Sequence, residues 1–159
     1  MLKIFGLALV GLSVASIGFL YSQRLMFRKR YLEQFVLFSK NLTNEMRSRN
    51  SNVISIFSDV TEKELKFLQN ITKEDFSDGE SIKDKVRTAG VFPEDNETVT
   101  SFLVKLGTSD LEGQRIHCEY YANVFADKCR EAERLISEKG KPARILSVLG
   151  GLALFIILV

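Results

Sequence analysis

Hydrophobic and polar positions divide the chain into three zones. From Ile4 to Tyr21 no residue is charged, and none is charged from Ile145 to Val159. Apart from Lys3, every charge lies between these runs. An 18-residue apolar helix rises about 27 Å, close to a bilayer core, whereas 15 residues reach about 22 Å. The second run can still span if the terminal carboxylate sits among headgroups and Arg144 snorkels at the other face. Leu154–Val159 is apolar on every face, which suits lipid better than a terminal helix packed in a core. The expected organisation is therefore a transmembrane helix over 1–21 with a short external N-terminus, a soluble domain over 22–144, and a second transmembrane helix over 145–159.

The middle zone reads as helices. Tyr31, Phe35, Phe38, Leu42 and Met46 recur three and four apart, so the first soluble helix continues out of the first span. Arg47–Asn52 breaks that stripe, and Ser51 or Asn52 can cap a second helix carrying Val53, Ile54, Ile56, Phe57 and Val60. Thr61 and Glu64 have capping-box spacing, which predicts a third helix with Leu65, Leu68 and Ile71 inward. Asp75–Glu80 reads as a loop. A fourth helix runs through Ile82 and Val86 to a stop at Gly90. Val99, Phe102, Leu103 and Leu106 form a fifth that stops at Gly107. Thr108 or Ser109 caps a sixth and longest helix, with Leu111, Cys118, Tyr121, Phe125, Cys129, Ala132 and Ile136 on one stripe. Pro142 kinks or restarts it before the last span. The fold class is all-α: an antiparallel bundle of about six helices, flanked by the two spans.

Charge sets the orientation. Arg24, Arg28, Lys29 and Arg30 follow the first run, and Lys139, Lys141 and Arg144 precede the second. Both clusters place the middle zone in the cytoplasm by the positive-inside rule. A cleaved signal peptide is the rival for the N-terminus, since Lys3, the apolar stretch and Val14-Ala15-Ser16 imitate one. Against it, the apolar run continues past Ser16 and ends in four cations. With 22 Lys+Arg against 20 Asp+Glu and no strongly basic helix face, nucleic acid is not the expected partner.

Catalytic chemistry is not expected. The sequence has no phosphate-binding glycine loop, nucleophile elbow or CxxC. His117 is the single histidine, and its neighbour Cys118 points about 100° away on a helix, so His117 reads as a surface residue beside a core cysteine. Cys118 and Cys129 lie about 16 Å apart on one helix, beyond disulfide reach. No metal or cofactor site is expected. Gly11 with Ala15, and Ser147 with Gly151, are small-xxx-small steps able to mediate helix contacts.

One segment is more specific. Leu106-Gly107-Thr108-Ser109-Asp110, with Gln114 four residues after the Asp, combines a helix stop, a capping hydroxyl, an acid suited to a helix N-terminus, and an amide able to reach the neighbouring helix. Gly107, Ser109, Asp110 and Gln114 thus form either a rigid helix turn or a partner contact. This segment resembles one in the stage III sporulation protein AB family of endospore-forming bacteria. The Met1-Leu2-Lys3 start, Gly18-Phe19 before a basic stretch, and Leu149-Gly150-Gly151-Leu152-Ala153-Leu154 before an aliphatic tail fit the same family. Arg28-Lys29-Arg30-Tyr31 lacks that family's proline, and Asn50–Ile54 lacks its Pro-Leu pair, which marks a divergent member.

The resemblance implies a helical domain similar to the cytoplasmic domains of the type II secretion platform protein. It also implies a part in the transport channel between mother cell and forespore, in the mother-cell membrane around the forespore. The partners it implies are the lipid bilayer, a cytoplasmic secretion-type ATPase and other channel subunits. The expected function is a non-enzymatic scaffold that docks this ATPase. The alternative is a membrane-tethered helical regulator or sensor signalling to a cytosolic protein.

Overall fold

The computed structural model describes the backbone of residues 2–49, 53–65, 68, 70–90 and 92–158. Within these, the side chains of 2–12, 14, 15, 49, 58, 60, 62–64, 73, 154, 155, 157 and 158 lie outside the description. The described residues are helical without strands. In chain order they form α1 (Leu2–Arg49), α2 (Val53–Glu64), a 3-10 turn (Lys73–Ser77), α3 (Gly79–Thr88), α4 (Asn96–Val104), α5 (Leu111–Leu135), a π-helical segment (Ile136–Gly140) and α6 (Lys141–Leu158). They group into two compact units, one of residues 1–31 with 128–159, the other of 32–127.

The 32–127 unit holds an aromatic core. Phe35, Phe38, Leu42 and Met46 of α1 are buried, as their three- and four-residue spacing predicts. Phe35 stacks on Phe125 of α5 with centroids 4.9 Å apart, and Phe38 meets Phe57 of α2 edge-on at 5.6 Å. Phe102 sits at the hub. Fully buried, it lies 6.4 Å from Phe38, 5.3 Å from Tyr121 and 5.7 Å from Phe125. Short α4 can occupy this position because Val99, Phe102 and Leu103 present one apolar face, extended by buried Leu106 in the turn that follows.

The predicted third helix is not an α-helix. α2 runs on through Thr61, because Val53, Ile56, Phe57 and Thr61 share its buried face and the Thr61 carbonyl accepts from Leu65 N–H at 3.0 Å. Burial of that face overrides the capping-box spacing. Leu65, Leu68 and Ile71 are buried as expected but belong to successive tight turns. Leu68 N–H donates to the Leu65 carbonyl at 2.8 Å, and Ile71 N–H to that of Leu68 at 2.9 Å. Residues exactly one 3-10 repeat apart eclipse one another, so a three-residue apolar spacing fits such turns as well as it fits an α-helix. Among the described residues the middle zone therefore has one α-helix fewer than the pattern suggests. The proposed cap at Ser51 or Asn52 lies outside the described residues.

The segment read as a loop is largely ordered. Its 3-10 turn leads directly into α3, whose first residue is Gly79 and whose cap is Asp78, accepting from Glu80 N–H at 3.0 Å. α3 ends just before Gly90, as predicted, whereas α4 ends at Val104 and a turn carries the chain on to Gly107; Gly90 has φ 77° and Gly107 φ 81°, a region costly for residues with a Cβ.

In the unit of residues 1–31 and 128–159, α1 and α6 meet through small residues. A Cβ added at Gly18 would lie 2.5 Å from the Ala143 carbonyl oxygen and 2.2 Å from Ser147 Oγ, so only glycine allows this approach. Farther along, Gly140 faces Ser22 and Leu25. The expected step at Gly11 and Ala15 lies outside the described side chains. Pro142 is the second residue of α6, and the turn before it is widened, with Lys141 N–H donating to the Ile136 carbonyl. Proline has no N–H and its ring crowds the carbonyl four residues back, so the helix widens and restarts there.

Among the described residues no helix is long and apolar enough to cross a membrane. The two expected spans fall on partly described ground: run 4–21 mostly, and run 145–159 in part, on residues without described side chains. Within run 145–159 side chains are described for 145–153 and 156, and the helix backbone continues to Leu158.

Candidate functional site

The turn between α4 and α5 is built around one buried amide. Gln114 is 2% exposed, and both ends of its side chain are used. Its Oε1 accepts from Gly107 N–H at 3.0 Å. Its Nε2 donates to Ser109 Oγ at 2.8 Å and to the Lys105 carbonyl at 3.3 Å. One side chain on α5 thus ties down Lys105, the first residue beyond α4, and the loop that follows. Such a fully paired buried amide stabilises a single loop conformation, because any other leaves polar groups unsatisfied.

The cap is Asp110, not Thr108 or Ser109. Asp110 Oδ1 accepts from Gly113 N–H at 3.0 Å, three residues on, as an N-cap does, and its charge suits the helix dipole. Ser109 is drawn off to Gln114, and the Thr108 hydroxyl donates back to the Lys105 carbonyl at 2.9 Å. A Cβ at Gly107 would come within 2.8 Å of Ile54 Cδ1, so α2 packs directly on the turn. Gly107, Ser109, Asp110 and Gln114 are thereby brought together, with Thr108, Ser109 and Asp110 exposed. None holds a strained nucleophile or a paired acid and base.

The titratable groups nearby are structural. His117 is half-buried and not a plain surface residue. Its ring stacks on Phe102 at 5.7 Å and 11°, and Nε2 lies 2.9 Å from the Phe102 carbonyl. Burial lowers its pKa, the contact with that carbonyl works the other way, and the Lys105 charge lowers it further. Cys118 is buried among apolar groups. Its thiol is pushed up to about 12 by burial and by the Glu119 charge, which makes it a poor nucleophile. Cys118 and Cys129 are both free. Among the described residues no group of three or more His, Cys, Asp and Glu side chains could hold a metal ion.

A polar cluster that the sequence reading treats as loop lies at Asp75. Its Oδ2 accepts from Thr72 N–H at 2.6 Å, Thr72 Oγ1 at 2.9 Å and Lys85 Nζ at 2.6 Å, and its Oδ1 from Ser81 Oγ at 2.6 Å. Lys85 also donates to the Asn70 carbonyl at 2.8 Å. Burial by itself raises the Asp75 pKa, but the hydrogen bonds from Lys85, Ser81 and Thr72 outweigh it and hold the carboxyl well below the usual range. The signal was present in Thr72-x-x-Asp75, a capping-type spacing inside a stretch dominated by turn formers.

The family model for stage III sporulation protein AB matches residues 3–159. The chain belongs to the stage III sporulation protein AB family. No curated protein and no solved structure matches it. Membership ties the chain to stage III sporulation.

In this family member the basic residues expected to flank the spans are unequal in setting. Arg24, Arg30, Lys139, Lys141 and Arg144 are exposed, whereas Arg28 is buried at 6%. Lys29 is half-buried and pairs with Glu133 at 3.3 Å. Arg144 lies over the Phe19 ring, 5.2 Å from its centroid. Arg28 and Lys29 are thus part of the packing, whereas the other five lie at the surface.

Proposed function

We propose that this sporulation protein is a non-enzymatic platform subunit, anchored in the mother-cell membrane around the forespore by its two charge-free runs. Its middle domain faces the cytoplasm, docks a secretion-type ATPase and meets other subunits of the transport channel.

The observation that carries this reading is the setting of the apolar residues in α1 and α6. Ile17, Leu20, Ile145, Leu146, Leu149, Leu152 and Ile156 are each more than half exposed, while the small residues Gly18 and Ser147 make the inter-helix contact. Exposing so many large aliphatic side chains to water is costly at about 25 cal/mol per Å2. In hydrocarbon that cost vanishes, and close approach of small residues is the usual way helices pack there. The charge-free lengths and the flanking cations support the same placement. Family membership supports the sporulation role, and the absence of catalytic motifs in the sequence supports a scaffold.

Two measurements test the proposal in sporulating cells. Cysteines placed next to each terminus are expected to react with an impermeant thiol reagent while one at exposed Glu97 stays protected. Labelling at 97 overturns the orientation. The intact protein, solubilised in mild detergent, is expected to co-purify with the ATPase. Failure to do so, with normal spore yield after deletion of the gene, overturns the platform role.

A further inference from the structure

Within the 32–127 unit, α1 and α5 run antiparallel, since Phe35 stacks on Phe125 and Arg47 reaches Glu119. Between them lies an open groove of about 350 Å3, lined by Lys40, Thr43, Asn44, Arg47, Glu119 and Asn123, with buried Ala122 in its floor. Thr43 is turned away from a ligand role, its hydroxyl donating to the Ser39 carbonyl at 3.0 Å. The walls are different. Among the described residues Lys40 has no carboxylate partner, and the Asn44 and Asn123 amides have no hydrogen-bond partner. Arg47 is held only at the 4.0 Å limit by Glu119, with both side chains about half exposed or more. An exposed pair at that distance stabilises little and is readily exchanged. The groove therefore carries two cations against one weakly engaged carboxylate.

Large exposed apolar residues lie one helical turn from these polar lining residues without lining the groove themselves. Leu37 is one helical turn before Lys40, Ile116 one turn before Glu119, and Tyr120 one turn before Asn123. Their exposures are 55%, 58% and 61%. Because α1 and α5 are antiparallel, Leu37 stands toward one end of the groove and Ile116 toward the other. From Leu37 to Arg47 the rise is about 15 Å, near three helical turns. Aliphatic and tyrosine anchors around a groove between two helices suit an incoming amphipathic helix, with Tyr120 the strongest anchor type.

We infer that this groove docks an acidic amphipathic helix, about three turns long, from a protein partner: its carboxylates meet Lys40 and Arg47, its polar groups meet Asn44 and Asn123, and its apolar side chains cover Leu37, Ile116 and Tyr120. The inference deepens the platform reading, on which it rests for the expectation of a cytosolic protein partner. Charge complementarity selects the acidic partner, since a basic helix would leave Lys40 facing like charge.

The test uses the full chain in sporulating cells, with a photo-crosslinking benzoylphenylalanine at Asn123 and, as a control, at exposed Glu97. A single protein adduct is expected at 123 and not at 97, mapping to an acidic helical peptide of the captured protein. Lys40→Glu combined with Arg47→Glu is expected to abolish it, and Tyr120→Ala to lower its yield about tenfold, with the thermal unfolding of the protein unchanged. No adduct at 123, an adduct to lipid or to a basic segment, or an adduct indifferent to the charge reversal overturns the groove assignment. An adduct meeting all these criteria on a protein other than the ATPase upholds the groove and counts against ATPase docking. Co-purification of the ATPase with the charge-reversed protein, alongside no adduct at 123, leaves the platform role standing and removes the groove.

Discussion

The two compact units of this chain use apolar residues in opposite ways. In residues 32–127 aromatic side chains build the interior: Phe35, Phe38, Phe57, Phe102 and Phe125 are all at most 2% exposed. In 1–31 with 128–159 the inward contact is made by glycine, serine and a backbone carbonyl, and the large aliphatics face out. The first arrangement is driven by removal of apolar area from water. The second brings two helix backbones close through small residues. Hydropathy alone does not separate these regimes; the size of the residues at the contact does.

The largest test of the contrast is Phe102→Ala. It empties the aromatic hub and is expected to cost about 3–5 kcal/mol in denaturant unfolding of the full chain. Leu146→Ala removes a large aliphatic side chain that is 68% exposed, and is expected to change stability by less than about 0.5 kcal/mol. Comparable losses at both positions would erase the distinction between the units.

Next in size is Gly18→Leu, which drives a side chain into the Ala143 carbonyl and is expected to cost about 1–3 kcal/mol by thermal unfolding. At Gly150 nothing lies within 4 Å of an added Cβ, so Gly150→Ala is expected to stabilise by about 0.5–1 kcal/mol through helix propensity. If both are neutral, the small-residue contact is not holding α1 and α6.

Gln114→Ala leaves the Gly107 N–H without its partner and is expected to cost about 1–3 kcal/mol. Amide exchange at Gly107 should accelerate with it. An unchanged rate would show that the turn is held by Ile54 packing instead.

The last expected effect depends on pH. The Asp75 carboxyl is held below its unfolded value of 3.8, so its contribution is fully present above about pH 4 and is lost as pH falls toward the folded value. Asp75→Asn is expected to cost on the order of 1 kcal/mol at neutral pH, discounted because Lys85 is partly exposed. It should also flatten the stability profile below pH 4. A profile as steep as that of the unsubstituted protein would remove Asp75 from the account.

Reading the sequence recovers most of this where periodicity is long. The α1 stripe and the α5 residues Cys118, Phe125 and Ala132 are buried as expected, because seven turns of consistent spacing leave little freedom of register. Short signals are less decisive. Leu111, placed on the same stripe, is at the surface, since the first turn of α5 is occupied with its cap. Thr61 satisfies a capping pattern but is held on a buried face, and Leu65–Ile71 fits two helix types at three-residue spacing. In the candidate site the residue types were legible, and Gln114 does reach across to the end of α4. Which of three adjacent polar residues caps α5 was not, because Ser109 and Thr108 have competing partners that only the folded turn supplies.

By itself the sequence determined the all-α class, the glycine stop at Gly90, the inward stripes of α1 and α4, and the family. Each rests on local backbone preference or on a repeat that one helix reads out alone. The tertiary structure decided that Gly18 meets Ala143 and Ser147, that Asp75 gathers Thr72, Ser81 and Lys85, and that Lys40 and Arg47 wall a groove with Glu119 and Asn123. Those pairings join residues that are distant along the chain or compete for the same partner, and neighbours in sequence carry no information about which distant surface they will meet.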